Sequence, residues 1–172
     1  MENHDLTHLL RSWPHQPGRI NARQVLAADG RPLLQVRVDL GVLQMEVQGR
    51  PDGVKPFGFA SLLAYQNDRL RRYEAENPSQ AGFVMSADEC RTLRDEALQF
   101  YHRYVGFFAL GDFAAVLRDT QHNLAVFDLC RDFGETEGDR TVLEQFRPPV
   151  VMMRARSEAE MEELGDDRRR DD

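Results

Sequence analysis

Apolar and polar residues alternate along residues 19–49, and two short interruptions divide this alternation. The segments INARQVLA and LLQVRVDL are separated by Asp29-Gly30, and VLQMEV follows after Gly41. A period of two is typical of strands with one buried face, and an Asp-Gly pair between two such runs favours a tight hairpin. We therefore predict a three-stranded antiparallel meander over residues 19–49.

The two faces of this meander differ in polarity. One face carries apolar residues of the second and third strands, and the other carries the polar residues that alternate with them. Charged groups on an open sheet face are usually solvated, so the polar face is either an ordinary wet surface or a surface for a partner. Its candidate partner-binding residues are Arg37, Gln44 and Glu46.

Beyond Phe59 the apolar residues recur every three or four positions, which is the period of a helix. Ser86 and Glu89 form a capping box and predict the start of a long helix. Gly111 and Asp112 interrupt the pattern, and they predict the end of this helix and the N-cap of the next. We therefore expect a long antiparallel helical hairpin.

The remaining segments complete the predicted organisation. A short helix is expected over residues 5–13, GETEGD reads as an acidic loop, and a last helical stretch is expected to break or kink at Pro148-Pro149. Residues 165–172 are charged and have no apolar anchor, which predicts a disordered tail. The fold class is thus one α+β domain over residues 1–164, with the meander at 19–49 and four to five helices at 59–164.

Composition narrows the classes of function. The chain has 172 residues, of which 41% are hydrophobic and 30% charged, and such a chain can form a core without metal or disulfide. The net charge of −7 disfavours binding to nucleic acid through the whole surface. Neither a signal-like start nor an apolar run of membrane-spanning length occurs, so a cytoplasmic protein without membrane association is expected.

No pattern in the sequence indicates a catalytic site, a metal site or a cofactor. His4 and His8 share one face of the first helix, but no third ligand is evident beside them. Cys90 and Cys130 fall next to apolar helical positions, which favours buried and unreactive thiols.

The run DFAAVLRD, from Asp112 to Asp119, has the order acid, variable residue, two alanines, variable residue, Leu-Arg-Asp. It resembles the second helix of the UVR motif, a helical hairpin of the incision subunits of bacterial nucleotide excision repair and of some adaptors of bacterial stress proteases. Over residues 105–124 the resemblance implies a hairpin that pairs with another hairpin to hold two proteins together. A tetratricopeptide helix pair has a similar order of aromatic, glycine and aspartate residues, and it also implies an antiparallel hairpin.

The side chains of this run suggest two faces of its helix. Phe113, Val116, Leu117 and Leu124 are expected to face the core. The two adjacent alanines allow close approach of another helix, and neighbouring Arg118 and Asp119 point in different directions. The residues expected to bind a partner on the other face are Ala115, Arg118, Asp119 and His122.

The leading hypothesis from the sequence is a non-enzymatic interaction or adaptor domain that binds a protein partner through the hairpin and the polar sheet face. An alternative is a small enzyme or ligand-binding domain with a cleft between sheet and helices, which would use Arg37, Asp39 and Glu46. A structural or assembly subunit, including a homo-oligomer, is the third hypothesis.

Overall fold

The computed structural model describes residues 5–170, and it describes side chains as far as residue 165. Helix α1 (Thr7–Ser12) precedes three strands, which are β1 (Asn21–Leu26), β2 (Pro32–Val38) and β3 (Gly41–Glu46). The helices that follow are α2 (Leu62–Glu76), α3 (Ala87–Ala109), α4 (Phe113–Phe133), α5 (Glu137–Thr141) and α6 (Arg147–Arg170). The strands pair antiparallel in the order β1-β2-β3, so the predicted α+β fold is confirmed.

One face of the sheet packs directly on α3. Leu34 and Val36 of β2 are buried against this helix, and Gly106 marks the closest approach. A Cβ atom on Gly106 would lie 2.8 Å from Val36 Cγ2 and 2.9 Å from Leu34 Cδ2. The side chains of β2 therefore contact α3 directly and leave no cleft between these two elements, while the alternative of a ligand-binding or enzymatic domain stays a prediction.

The other face of the sheet is not the open polar surface that the alternation predicts. Gln35 and Arg37 are buried, because the segment after α1 crosses this face. Arg37 Nε donates a hydrogen bond to Trp13 O at 2.7 Å, and the Trp13 ring stacks 4.0 Å from the Arg23 guanidinium. Long polar side chains on a sheet can thus be covered by another segment of the chain when their N–H groups donate hydrogen bonds to backbone carbonyls.

The helical hairpin forms where the sequence predicts it. Ser86 Oγ accepts from the Glu89 backbone N–H and Glu89 Oε2 accepts from the Ser86 N–H, which completes the capping box of α3. Gly111 then adopts φ +73°, a left-handed conformation that glycine tolerates best. Asp112 Oδ1 accepts from the Ala115 N–H and caps α4, which runs back antiparallel to α3.

The end of the chain departs from the prediction at two places. Helix α5 begins within the predicted acidic loop. The prolines at 148–149 lie in the first turn of α6, where backbone N–H groups make no hydrogen bond within the helix, so their absence costs nothing there. The described backbone of α6 includes residues 165–170 of the tail that the sequence predicts to be disordered. Residues 171–172, and His4 of the His4–His8 pair, lie outside the described residues.

Two apolar clusters stabilise the domain. The first joins α2, α3, α4 and α6 around Leu93, Val126 and Phe127, and it also buries Cys90 and Cys130. The second joins the sheet to the hairpin, and its buried members are Leu34, Val36, Met45, Tyr104, Phe107, Ala115 and Val116. Within the described part of the chain, no helix is both long and apolar enough to cross a membrane.

Candidate functional site

The residues of α4 that were expected to form an exposed docking face lie mostly inside the domain. Ala115 is 7% exposed and Asp119 is fully buried. The His122 side chain is 11% exposed and the Arg118 side chain is 38% exposed. The expectation of an open face is therefore wrong for Ala115, Asp119 and His122, because this side of α4 packs against α3 and the end of β3.

Asp119 forms a buried ion pair with Arg103 of α3. Arg103 Nε lies 2.7 Å from Asp119 Oδ2, and Arg103 Nη2 lies 2.9 Å from Oδ1. The remaining nitrogen, Nη1, donates to the carbonyls of Glu46 and Gly49, each at 2.8 Å. The bidentate pair satisfies both charges, and the two carbonyl contacts attach the hairpin to the segment that follows β3.

Arg118 strengthens the same connection from the surface. Its Nε donates to Asp119 Oδ1 at 2.9 Å, while the other guanidinium nitrogens contact Gln48 Oε1 and Val47 O. The two neighbours Arg118 and Asp119 therefore do interact with each other, contrary to expectation. The Leu-Arg-Asp run acts in this chain as an internal connection between α4, α3 and β3.

A second buried carboxylate, Glu96 of α3, caps the N-terminus of α2. Glu96 accepts from the backbone N–H groups of Leu62 at 2.7 Å and Leu63 at 3.1 Å. His122 Nε2 lies 3.2 Å from Glu96 Oε1, at ion-pair distance but without hydrogen-bond alignment, and the His122 ring stacks on Phe100. No sequence signal indicates this contact, since helix caps are normally sought next to the helix they serve.

The sheet residues proposed for partner binding do not join the hairpin residues in one surface. Arg37 is buried under Trp13, Gln44 is exposed and accepts from Gln35, and Glu46 pairs with Arg31. Glu46 also borders a hollow of about 260 Å³ between β3 and the loop that follows it. These side chains lie on the outer face of the sheet, whereas Arg118 and Asp119 lie on the helical side.

The buried charged groups are used for structure rather than left free for chemistry. Arg103, Asp119 and Glu96 each contact charged side chains or backbone groups that satisfy them. Among the described residues, no group of three or more histidine, cysteine, aspartate and glutamate side chains is arranged to hold a metal ion.

A concave surface lies on the opposite side of the α3–α4 pair, away from the sheet. It is a groove of about 620 Å³, with α3 as one wall, the segment from α5 into α6 as the other, and α4 as its floor. The residues that line it are Arg94, Asp95, Ala97, Leu98, Tyr101 and Tyr104 of α3, Asn123 and Phe127 of α4, and Leu143, Phe146, Pro149 and Val150.

Large apolar side chains line the rim of this groove and remain open to solvent. Leu98 is 54% exposed and Tyr101 is 46% exposed on α3, and Phe146 is 51% exposed on the facing wall. The α3 residues recur at helical spacing on one face, next to the stripe that packs into the core. Apolar surface of this extent beside a concave floor is typical of a binding groove.

The floor of the groove holds a polar side chain with an unused acceptor. Asn123 is 2% exposed, and its Nδ2 donates to Ala97 O at 3.0 Å. Its Oδ1 is buried and has no hydrogen-bond partner among the described residues. Tyr104 lies beside it, 3% exposed, and burial raises the pKa of its hydroxyl to about 12.

The sequence prediction did not include the groove residues. The available signal was the apolar width of α3, where Leu98 and Tyr101 lie outside the stripe of Leu93, Ala97 and Phe100 that faces the core. A helix with apolar residues on two faces is either buried all round or binds something on its second face.

No family model matches the chain, and no curated protein or solved structure is significantly similar to it. The UVR-like resemblance of residues 105–124 stays a prediction. The function is therefore inferred from the geometry of the domain.

Proposed function

We propose that this protein is a non-enzymatic interaction domain, and that it takes an amphipathic helix of a partner protein in the groove between α3 and α6. The observation that carries the proposal is the line of exposed apolar side chains at the rim, Leu98, Tyr101 and Phe146, above an apolar floor. Recognition of a helix in a groove uses apolar anchors at positions i, i+3 or i+4, and i+7.

A protein segment fits this groove better than a small molecule does. A small ligand on the floor would leave Leu98 and Phe146 in water, and exposed side chains of this size gain free energy only when a larger surface covers them. A helix laid between α3 and α6 covers both rims and the floor together. Of the charged residues that line the groove, Arg94 lies 3.5 Å from Asp139 of the same chain, and Asp95 on α3 is suited to orient the incoming helix.

This proposal keeps the interaction function expected from the sequence and moves its surface. The predicted face around Arg118 and Asp119 is committed to contacts with α3 and β3. The groove lies on the other side of the same helical hairpin. The hairpin therefore supports partner binding through its second side, while its UVR-like run holds the domain together.

Selection from a displayed library of helical peptides tests the proposal. The wild-type chain serves as the target, and the double variant Leu98→Glu/Phe146→Glu serves as the counter-target. We expect enriched peptides with apolar anchors at helical spacing that bind the variant about tenfold or more weakly, which corresponds to about 1.4 kcal/mol. Because both substituted side chains are exposed, the variant should keep its fold.

A matched control places the same two charges outside the groove. Leu26 and Leu40 are 75% and 88% exposed at the sheet, so Leu26→Glu/Leu40→Glu should bind the selected peptides as the wild type does. Equal loss of binding in both variants, or failure to enrich any groove-dependent peptide, contradicts the proposal. Light scattering provides a further check, since a wild-type dimer that the groove variant dissociates would identify the groove as a self-association surface instead.

A further inference from the structure

We infer that the floor of the groove is an anchor pocket for a tryptophan or tyrosine side chain, whose N–H or O–H donates to Asn123 Oδ1. This inference rests on the proposed function, since the anchor belongs to the helix that occupies the groove. It adds the chemistry by which the groove selects its partner.

The first step is the unused acceptor. Buried polar atoms in proteins are almost always hydrogen-bonded, and each exception costs about 1–3 kcal/mol. Arg50 Nε and His122 Nε2 also lack an aligned partner, but each lies within ion-pair distance of a carboxylate. His15 Nδ1 lacks a partner as well, but His15 does not line the groove. Asn123 Oδ1 has neither kind of partner among the described residues, and Asn123 lines the groove.

The second step concerns which donor can reach this atom. The surroundings are apolar, formed by Phe127, Leu143 and Val150, so a lysine or arginine donor would lose its hydration without a counter-charge at the floor. A serine or threonine hydroxyl is short and leaves the rest of the floor unfilled. Tryptophan and tyrosine combine a large apolar ring with one donor at its edge, which matches an apolar pocket with one acceptor.

The third step is access. Asn123 Oδ1 is shielded from solvent in the free domain, and the neighbouring side chains Leu98 and Tyr101 are about half-exposed. An anchor reaches the floor when these two side chains turn aside, as interface side chains commonly change rotamer on binding. The rings of Tyr101, Tyr104 and Phe127 then provide aromatic walls for the anchor.

Indole and 1-methylindole are the probes that test the inference, because a methyl group replaces the N–H hydrogen in 1-methylindole and its ring nitrogen cannot donate. Titrations followed by NMR of the ¹⁵N-labelled wild-type chain give both dissociation constants. We expect indole to bind about 3- to 10-fold more tightly, the value of one net hydrogen bond. We also expect the Asn123 side-chain amide signals to shift with indole and to shift less with 1-methylindole.

The variant Asn123→Leu removes the acceptor and keeps the bulk of the side chain. In this variant the preference for indole over 1-methylindole should be lost, and circular dichroism checks that the fold is retained. Should the variant not fold, the comparison of the two probes on the wild-type side-chain amide signals still decides.

Equal binding of both probes in the groove of the wild type overturns the inference and leaves the proposed function intact. Absence of any shift at groove residues with either probe also overturns it. The proposed function fails separately, when the peptide selection yields no groove-dependent sequence.

Discussion

The α3–α4 pair is flanked by two surfaces of opposite character. On the side of the sheet, Asp119 is held by Arg103 and Arg118, and the carbonyl groups of Glu46 and Gly49 at the end of β3 and just after it accept from Arg103. On the side of α6, Leu98 and Phe146 stay exposed above Asn123, whose side-chain amide oxygen Oδ1 has no hydrogen-bond partner among the described residues.

The difference teaches that charge is a poor guide to which side chains of this hairpin are exposed. Charged residues favour the interpretation of a docking face, but a buried carboxylate is stable only when counter-charges or hydrogen-bond donors satisfy it. For Asp119 these are Arg103 and Arg118 of the same chain. Apolar side chains at a rim have no such internal partners and gain free energy only from a surface that covers them. The side of the hairpin without charged candidate residues is thus the one on which apolar side chains stay exposed.

The largest effect is expected from removing the central charge of the closed side. Asp119→Ala leaves Arg103 buried without its counter-charge, and we expect the free energy of unfolding to fall by about 3–5 kcal/mol. Urea denaturation followed by circular dichroism measures the change. Asp132→Ala, at a half-exposed aspartate of the same helix, should change it by less than about 1 kcal/mol. A loss for Asp119→Ala no larger than that of the control would show that the ion pair does not stabilise the hairpin.

A pair of leucines in α3 compares the core with the rim of the groove. Leu93 is fully buried, so Leu93→Ala should cost about 2–5 kcal/mol of unfolding free energy. Leu98 is 54% exposed, so Leu98→Ala should cost less than about 1 kcal/mol in the free domain. Thermal and urea unfolding of both variants provide the measurement. Similar costs would mean that the groove is closed in solution.

Alkaline pH tests how dry the floor of the groove is. Burial raises the pKa of Tyr104 from 10.0 to about 12, so stability from its neutral form is complete below pH 10 and is lost as the pH rises toward 12. Two pKa units correspond to at most about 2.7 kcal/mol, and Tyr104→Phe should lack this part of the decline. Ultraviolet titration of tyrosinate in wild type and variant locates the step. A Tyr104 step near pH 10 would show a hydrated floor.

The contact between sheet and helix predicts a smaller effect. Gly106→Ala places a Cβ atom 2.8 Å from Val36 Cγ2, and overpacking of this kind costs about 1–3 kcal/mol, partly offset by the higher helix propensity of alanine. We expect a net loss of about 1 kcal/mol in urea unfolding. At Gly138 of α5 the same change meets only Thr136 Oγ1 at 3.7 Å and should be neutral or slightly stabilising. A neutral Gly106→Ala would mean that β2 moves easily from α3.

The smallest effect is expected at the exposed member of the charged cluster. Arg118→Ala removes contacts to Asp119 and Gln48 but leaves the Arg103 pair in place, and its side chain is 38% exposed. We expect a loss of about 0.5–1 kcal/mol, as is usual for surface ion pairs. If Arg118→Ala were as damaging as Asp119→Ala in urea unfolding, the ion pair with Arg103 would not be sufficient to hold Asp119.

Periodicity and local capping signals predict the elements of this protein correctly. The alternation across Asp29-Gly30 predicts the meander, and the Ser86–Glu89 capping box and Gly111 predict the two ends of α3. These features depend on residues a few positions apart, so their physics is contained in short segments.

The faces of the elements were harder to predict. Arg37 alternates correctly for the outer face of β2, and only the return of Trp13 across the sheet buries it. Asp119 occupies a position that looks solvent-facing, but it is buried and forms a bidentate ion pair with Arg103, 16 residues earlier on the facing helix. Such contacts join distant parts of the chain, so no pattern within a short segment predicts them.

The sequence by itself therefore determined the three strands of the meander and the ends of the long hairpin, because hydrogen bonds within a helix or hairpin depend on neighbouring residues. Only the tertiary structure decided which side of the hairpin is closed by ion pairs and which is left as a groove. The reason is that a polar group can be buried without loss of stability only when it has a hydrogen-bond or ion-pair partner. For Arg37 and Asp119 that partner lies far away in the sequence and is brought close only by the packing of the fold.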